Sequence, residues 1–201
     1  MVRQNMTGYG NPYQEGKLLY RVDPLRDIYY FAYDLRTPTD EEFRALFGRE
    51  RQDGEQQYIY EWQFFDHKPT REEMAALIYE RINARCDAAI LEGGAYTTLE
   101  DEPRRCRLYL SQQNQFNWKA IYDMACRLEG RNLPAVFKLG VSDEDAYYYT
   151  ITSMRQLEHF ILSVFKYIET TLAACWQAKQ SVDFTPYTLD SNGTEENEAV
   201  S

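Results

Sequence analysis

The C-terminal third of the chain carries its longest run of regularly spaced apolar residues. Between Ser153 and Lys179 these residues recur every three or four positions, the spacing that gathers side chains on one side of an α-helix. Ser153 and Gln156 have the spacing of a helix N-cap and its partner. The pattern predicts a long amphipathic helix. Its apolar stripe is Met154, Leu157, Phe160, Ile161, Val164, Phe165, Ile168, Leu172 and Trp176.

Three shorter helices are predicted from their end signals. The first begins after Thr39, which has capping-box spacing to Glu42. The second begins after Thr70 and ends at the Gly93-Gly94 pair, and the third runs from a Ser111 cap to Gly130. The second helix has the apolar stripe Met74, Leu77, Ile78, Ile82, Cys86, Ala89 and Ile90. In the third, the residues assigned to one apolar side are Phe116, Ala120, Met124 and Leu128, broadened by Ile121 and Ala125.

Strands are predicted where apolar residues alternate or where aromatic and β-branched residues cluster between turn signals. The clearest is 57–65, whose alternation is typical of a strand with one buried face. One side would hold Tyr58, Tyr60, Trp62 and Phe64, and the other Ile59, Glu61, Gln63 and Phe65. The remaining predicted strands are 27–34, 106–110, 134–140 and 146–151. We expect 27–34 and 57–65 to form an antiparallel pair.

Strands and helices are mixed without strict alternation, which favours an α+β fold: small antiparallel sheets with amphipathic helices packed on one face. We expect a first unit at 27–94 and a second at 105–180, with a linker at 95–104 between them. An extended N-terminal arm (1–26) and an acidic C-terminal tail (181–201) would flank the two units.

Net charge and hydropathy argue against two classes of binding partner. The chain of 201 residues has a formal net charge of −10, which argues against nucleic-acid binding because phosphate attraction requires clustered Lys and Arg. No apolar run approaches the roughly 18–20 residues that cross a bilayer. No signal-peptide pattern opens the sequence, so we expect a protein made and kept in the cytosol and no membrane partner.

Tyrosine is the compositional outlier, with 17 residues in a chain that is 15% aromatic. Tyrosine suits protein interfaces because it buries a large flat surface while its hydroxyl stays hydrogen-bonded, although a tyrosine-rich core would give the same composition. The interface candidates are Tyr9, Tyr13, Tyr147, Tyr148, Tyr149, Phe165, Leu172 and Trp176. Ala173 and Ala174 allow close helix approach, which favours a symmetric dimer through the long helix.

Candidate chemistry is sparse. Ser163 and Lys166 lie inside a helix pattern, and the adjacent Asp66 and His67 precede a helix start, where capping and loop packing explain them. The acidic run 143–145 lacks a calcium-loop pattern, and no phosphate-binding loop occurs. The four cysteines are widely spaced and are interpreted as buried free thiols. We expect no enzyme, no metal and no cofactor.

Residues 57–180 resemble an uncharacterised domain of phage and prophage proteins, often found in tail-fibre and tail-fibre-assembly proteins, including those of phages of gut bacteria. The segment YEWQFFDHKPTREEM resembles the part that precedes this domain. The matching residues are Ser111, Asn114, Gln115, Asn117, Lys119, Tyr122, Leu133, Pro134, Phe137, Lys138, Gly140, Tyr147, Thr152, Trp176 and Lys179. The cluster of Gln115, Asn117 and Lys119 is either an interaction surface or a network that holds the helix start to the sheet.

The resemblance implies a virion or virion-assembly role and supplies no catalytic residue. We expect a head-fibre, tail-fibre or adaptor subunit that binds other phage structural proteins, assembled in the host cytoplasm and retained in the virion. A fibre-assembly chaperone that leaves before maturation is the alternative, and a small hydrolase is a second one.

Overall fold

A computed structural model of the protein describes residues 6–15, 18–23, 25–140 and 146–188. It confirms the predicted α+β class with small antiparallel sheets. The chain divides into two compact units, Met1–Arg81 with Val182–Ser201 and Ile82–Ser181. None of the helices in the described ranges is long and apolar enough to span a membrane.

Unit 1 is built on a four-stranded antiparallel sheet. Its strands are β1 (Met6–Gly10), β2 (Leu19–Asp23), β3 (Ile28–Arg36) and β4 (Tyr58–Phe65), in the order β1-β4-β3-β2. The predicted pairing of β3 with β4 is confirmed, with Tyr30 opposite Phe64. A Cβ at Gly8 in β1 would lie 2.5 Å from the ring of Tyr60, so a side chain there would force this ring to move.

The sequence analysis expected a separate N-terminal arm at 1–26, but the described part of this segment belongs to the sheet. β1 pairs with β4 and β2 pairs with β3, so both strands are part of the sheet. A 3₁₀ turn, Pro12–Glu15, lies between them. The prediction failed because these strands are short, and long-range pairing rather than local periodicity holds them.

The two helices of unit 1 begin where the capping signals predicted. α1 (Asp40–Phe47) has the full capping box between Thr39 and Glu42 and ends at Gly48 in the left-handed conformation. α2 (Arg71–Glu92) begins after Thr70, whose side chain and backbone exchange hydrogen bonds with Glu73 at 3.2 and 2.8 Å. The division between the units falls inside α2, which corrects the predicted boundary at residue 94.

The buried side of the unit 1 sheet is the one that includes Gln63, while Tyr58, Tyr60, Trp62 and Phe64 are only half-buried. Phe31 is fully buried and stacks on Tyr33, with ring centroids 5.0 Å apart. Tyr187, in a 3₁₀ turn at Thr185–Tyr187, packs on Phe31 at 5.1 Å. The first residues of the predicted acidic tail therefore belong to unit 1, and 189–201 lie outside the described residues.

Unit 2 contains the rest of α2, two strand pairs and two long helices. The pairs are β5 (Ala95–Thr97) with β6 (Arg105–Arg107), and β7 (Ala135–Leu139) with β8 (Tyr147–Ile151). The helices are α3 (Gln112–Arg127) and α4 (Met154–Gln180). The prediction of a linker at 95–104 is wrong for its first residues, because they form β5, in which Tyr96 is buried. The acidic turn at 143–145 lies outside the described residues.

Aromatic rings from four elements form the core of unit 2. The ring of Phe160 on α4 lies 4.8 Å from that of Trp118 on α3, 4.9 Å from Phe137 on β7 and 5.2 Å from Tyr96 on β5. All four side chains are buried. This cluster fixes which sides of α3 and α4 face inward, and therefore which sides remain exposed.

Candidate protein-interaction surfaces

α4 has a buried side and an exposed apolar side. Leu157, Phe160, Ile161 and Val164 are buried in the core of unit 2. On an adjacent side of the helix, spaced by three, seven and four residues, are Leu162, Phe165, Leu172 and Trp176, which we name the outer stripe of α4. Leu162 is 67% exposed, Phe165 54% and Trp176 59%, while Leu172 is half-buried. The three candidates Phe165, Leu172 and Trp176 thus lie together on one surface.

One charged residue lies in the middle of the outer stripe. Glu169 is exposed, seven residues from both Leu162 and Trp176, so it lies on the same helical line as they do. A molecule that covers the stripe must therefore also accommodate a carboxylate. This requirement favours a binding partner with a Lys or Arg between its apolar contacts.

The three consecutive tyrosines of β8 have different environments. Tyr149 is fully buried, and its hydroxyl bonds the backbone of Leu99, so its assignment to an interface was wrong. The hydroxyl of Tyr147 donates to both carboxylate oxygens of Glu100 at 3.0 Å, and burial raises its pKa. Only Tyr148, at 63% exposure, presents its ring to solvent. The alternation of a strand explains the difference, since neighbouring residues point to opposite faces.

The two N-terminal candidates, Tyr9 and Tyr13, are exposed on unit 1. Tyr13 contacts Tyr58 edge to face at 5.8 Å. Tyr9 lines a cleft of about 410 Å³ that also contains Arg36 and Glu42. These two groups form a bidentate ion pair at 2.8 and 2.9 Å, and the guanidinium lowers the pKa of Glu42 to about 2. The paired charges leave this cleft without a reactive carboxyl group at Glu42.

α3 carries an exposed apolar surface that the sequence analysis assigned to the core. Phe116, Ala120, Met124 and Leu128, spaced by four residues, are all exposed, and we name them the α3 ridge. Phe116 is 70% exposed and Met124 55%. The inward side is instead formed by Trp118 and Ala125, with Ile121 and Tyr122 packed beside them. Both sides of the helix have regularly spaced apolar residues, so the spacing alone did not show which side is buried.

The polar residues at the start of α3 mostly hold the helix in place. Ser111 accepts a hydrogen bond from the Asn114 backbone, the side chain of Asn114 donates to the carbonyl of Tyr109 at 2.8 Å, and Gln115 donates to that of Leu110 at 2.6 Å. For Gln115, this supports the network interpretation. Asn117 and Lys119 are exposed instead, and the Lys119 ammonium forms an ion pair with Asp123 at 2.6 Å.

The candidate catalytic groups are engaged in structural contacts. The ring nitrogens of His67 lie 3.0 Å from Asp66 and 2.9 Å from Glu73, and these carboxylates raise the pKa of the imidazole. Glu73 also completes the cap of α2. Ser163 donates its hydroxyl hydrogen bond to the carbonyl of His159 at 2.8 Å, one helical turn earlier. The hydrogen bond described for Ser163 is thus to a backbone carbonyl and not to the side chain of Lys166.

The thiols differ in exposure. Cys86 is buried, Cys106 and Cys175 are half-buried, and Cys126 is exposed, which corrects the expectation that all four are buried. Burial and the neighbouring Cys175 thiol raise the pKa of Cys86 to about 11. Within the described ranges, no group of three or more His, Cys, Asp or Glu side chains is arranged to hold a metal ion.

No protein-family model, curated protein or solved structure matches this chain.

Proposed function

We propose that this protein is a structural subunit of a bacteriophage particle, a head-fibre, tail-fibre or adaptor component that acts by binding other subunits. The observation that carries the proposal is the outer stripe of α4, with its exposed Leu162, Phe165 and Trp176. The proposal assigns the protein no reaction and no cofactor.

The stripe supports a binding role because grouped large apolar side chains are an unfavourable feature on the surface of an isolated soluble protein. Tryptophan is also among the residue types that dominate binding energy at protein interfaces. The first half of the helix is held in the core of unit 2 by Leu157, Phe160 and Ile161. A partner would therefore meet a preformed surface and lose little entropy in ordering it.

The resemblance of residues 57–180 to phage fibre-associated proteins supplies the context. It includes the polar start of α3, the β7–β8 pair and Trp176 at the end of α4. The partner of the stripe would then be another phage structural protein, bound during assembly in the host cytoplasm and kept in the virion.

Quantitative mass spectrometry of purified phage particles tests the proposal. A structural subunit is expected at a fixed copy number per particle, and that number would indicate the symmetry of its position. Absence from particles, together with co-purification with fibre subunits from infected-cell lysate, would overturn the structural role and support the assembly chaperone.

A further inference from the structure

We infer that the α3 ridge is the contact surface of a two-fold symmetric dimer of this chain. The long helix α4, which the sequence favoured for a dimer, would then be left for a different partner. The inference concerns purified protein alone, so it stands or falls independently of the proposed phage role.

The shape of the ridge suits helix packing. Residues spaced by four form the ridges that interlock when two helices cross, in the commonest class of helix–helix packing. Ala120 lies inside the ridge, with the large side chains of Phe116 and Met124 on either side. A small residue near the crossing point lets two backbones approach, while the flanking large side chains fill the space around it.

The charges beside the ridge are complementary to their own inverted copy. Lys119 and Asp123 each follow a ridge residue by three positions, so they lie along one flank. In an antiparallel pair, a two-fold axis at the level of Ile121 places Lys119 of each copy opposite Asp123 of the other, because both are two residues from 121. Because Lys119 and Asp123 already form an ion pair within each helix at 2.6 Å, the dimer would join the two pairs into one network of four alternating charges, with two contacts between copies.

The outer stripe of α4 lacks this property. Its apolar residues match their inverted copy only about position 169, since Leu162 and Trp176 are equally distant from it. A two-fold pair centred there would bring Glu169 against Glu169, and a parallel pair would do the same. Like charges directly opposed destabilise an interface, so the stripe is poorly suited to self-association.

A cleft beside the ridge offers a place for an inserted side chain. It has a volume of about 380 Å³ and lies between α3 and β7, where Asn117, Ala120 and Val136 contribute to its wall. With the two-fold axis at the level of Ile121, Met124 of the second copy, which is 55% exposed, lies level with residue 118 and faces this cleft. A large apolar side chain that fills a pocket on the second copy is the usual form of an interface anchor.

The test uses two charge reversals in the full-length protein, Lys119→Glu and Asp123→Lys, with dimer dissociation measured by sedimentation equilibrium. The wild type is expected to dimerise. Each single variant, which opposes like charges twice per dimer, is expected to raise Kd by about tenfold or more. Mixing the two variants is expected to restore dimers, because position 119 of each chain then meets the opposite charge at position 123 of the other.

Apolar variants complete the test. Phe116→Ser is expected to abolish dimers, while the matched control Leu25→Ser, which removes an exposed leucine from unit 1, is expected to leave Kd unchanged. Circular dichroism checks that each variant is folded. A monomeric wild type at high micromolar concentration, dimers unaffected by either reversal, or a mixture that stays monomeric would each overturn the inference.

Discussion

α3 and α4 pack against the same aromatic cluster and both expose apolar residues, yet their outer surfaces differ in the position of charge. The α3 ridge has Lys119 and Asp123 along its flank. The outer stripe of α4 has Glu169 on its central line. The first arrangement is complementary to its own inverted copy, and the second is not.

Apolar exposure alone identifies a binding surface but not what binds there. The symmetry of the surrounding charges separates a surface for a second copy from a surface for another protein. In this proposal, unit 2 dimerises through α3 and binds a neighbouring subunit of an assembly through α4.

The largest predicted effect is a difference in stability between substitutions on the buried side and on the outer stripe of α4. Phe160→Ala removes the ring at the centre of the unit 2 core and is expected to destabilise the protein by about 3–5 kcal/mol. Phe165→Ala, on the outer stripe, is expected to change stability by roughly 0.5 kcal/mol or less. Urea denaturation of both variants measures the difference. Equal destabilisation would mean that the outer stripe is covered within the monomer.

Two thiols are expected to differ in reactivity. Cys126 lies on the exposed surface of α3, and Cys86 lies on the buried side of α2, next to Cys175 of α4. The pKa of Cys86 is raised to about 11 from an ordinary 9.0, so its thiolate fraction at neutral pH is about 100-fold lower. Exposed Cys126 on α3 is expected to react first with a maleimide at pH 7, and Cys86 last. Because the thiolate is the reactive form, the Cys86 rate should rise about tenfold per pH unit until pH approaches 11. Peptide mapping of the labelled protein gives the order, and early labelling of Cys86 would contradict it.

Replacing Glu169, the central charge of the outer stripe, tests whether this carboxylate prevents α4 from pairing with itself. In a Lys119→Glu background, which weakens the α3 dimer, Glu169→Leu is expected to produce self-association through α4, strengthened about tenfold or more over its parent. Thr170→Leu adds the same side chain one residue outside the stripe and serves as the control. Sedimentation equilibrium compares the three proteins. If Glu169→Leu stays as monomeric as its parent, the carboxylate is not what prevents α4 from pairing with itself.

The sequence analysis correctly predicted the helix starts, which are fixed by interactions between residues close together in the chain. The capping boxes at Thr39 and Thr70 and the cap at Ser111 mark the helix starts because the hydrogen bonds are made within four residues. The inward side of α3 was missed because Phe116 and Trp118 are both aromatic and two residues apart, so each begins a plausible apolar line. Only the rings that contact Trp118 from β7 and α4 decide between the lines.

The same limit applies to the candidate surfaces. Tyr148 and Tyr149 are identical in sequence terms, and the face of the β7–β8 pair that meets the core separates them. By contrast, Phe165 and Trp176, which the sequence placed in the apolar stripe and named as interface candidates, are both exposed, and their role at an interface stays a prediction.

The smallest expected effect is that of salt. The α3 dimer includes two exposed ion pairs between copies, so its Kd is expected to rise a few-fold between low and high salt, since the Debye length falls from about 30 Å at 0.01 M to about 3 Å at 1 M. In the protein that combines Lys119→Glu with Glu169→Leu, pairing through α4 is apolar and should not weaken. Sedimentation in the two buffers measures both, and a salt-independent α3 dimer would argue against the proposed ion pairs.

The most direct test of the account is the occupancy of an α4 variant in purified particles. Phe165→Ser combined with Trp176→Ser should leave the α3 dimer and the fold intact while it removes the protein from particles. Quantitative mass spectrometry against the Leu25→Ser control measures the occupancy. Loss of the variant alone is the predicted result, and normal occupancy would contradict the assignment of the outer stripe as the surface that binds a neighbouring subunit.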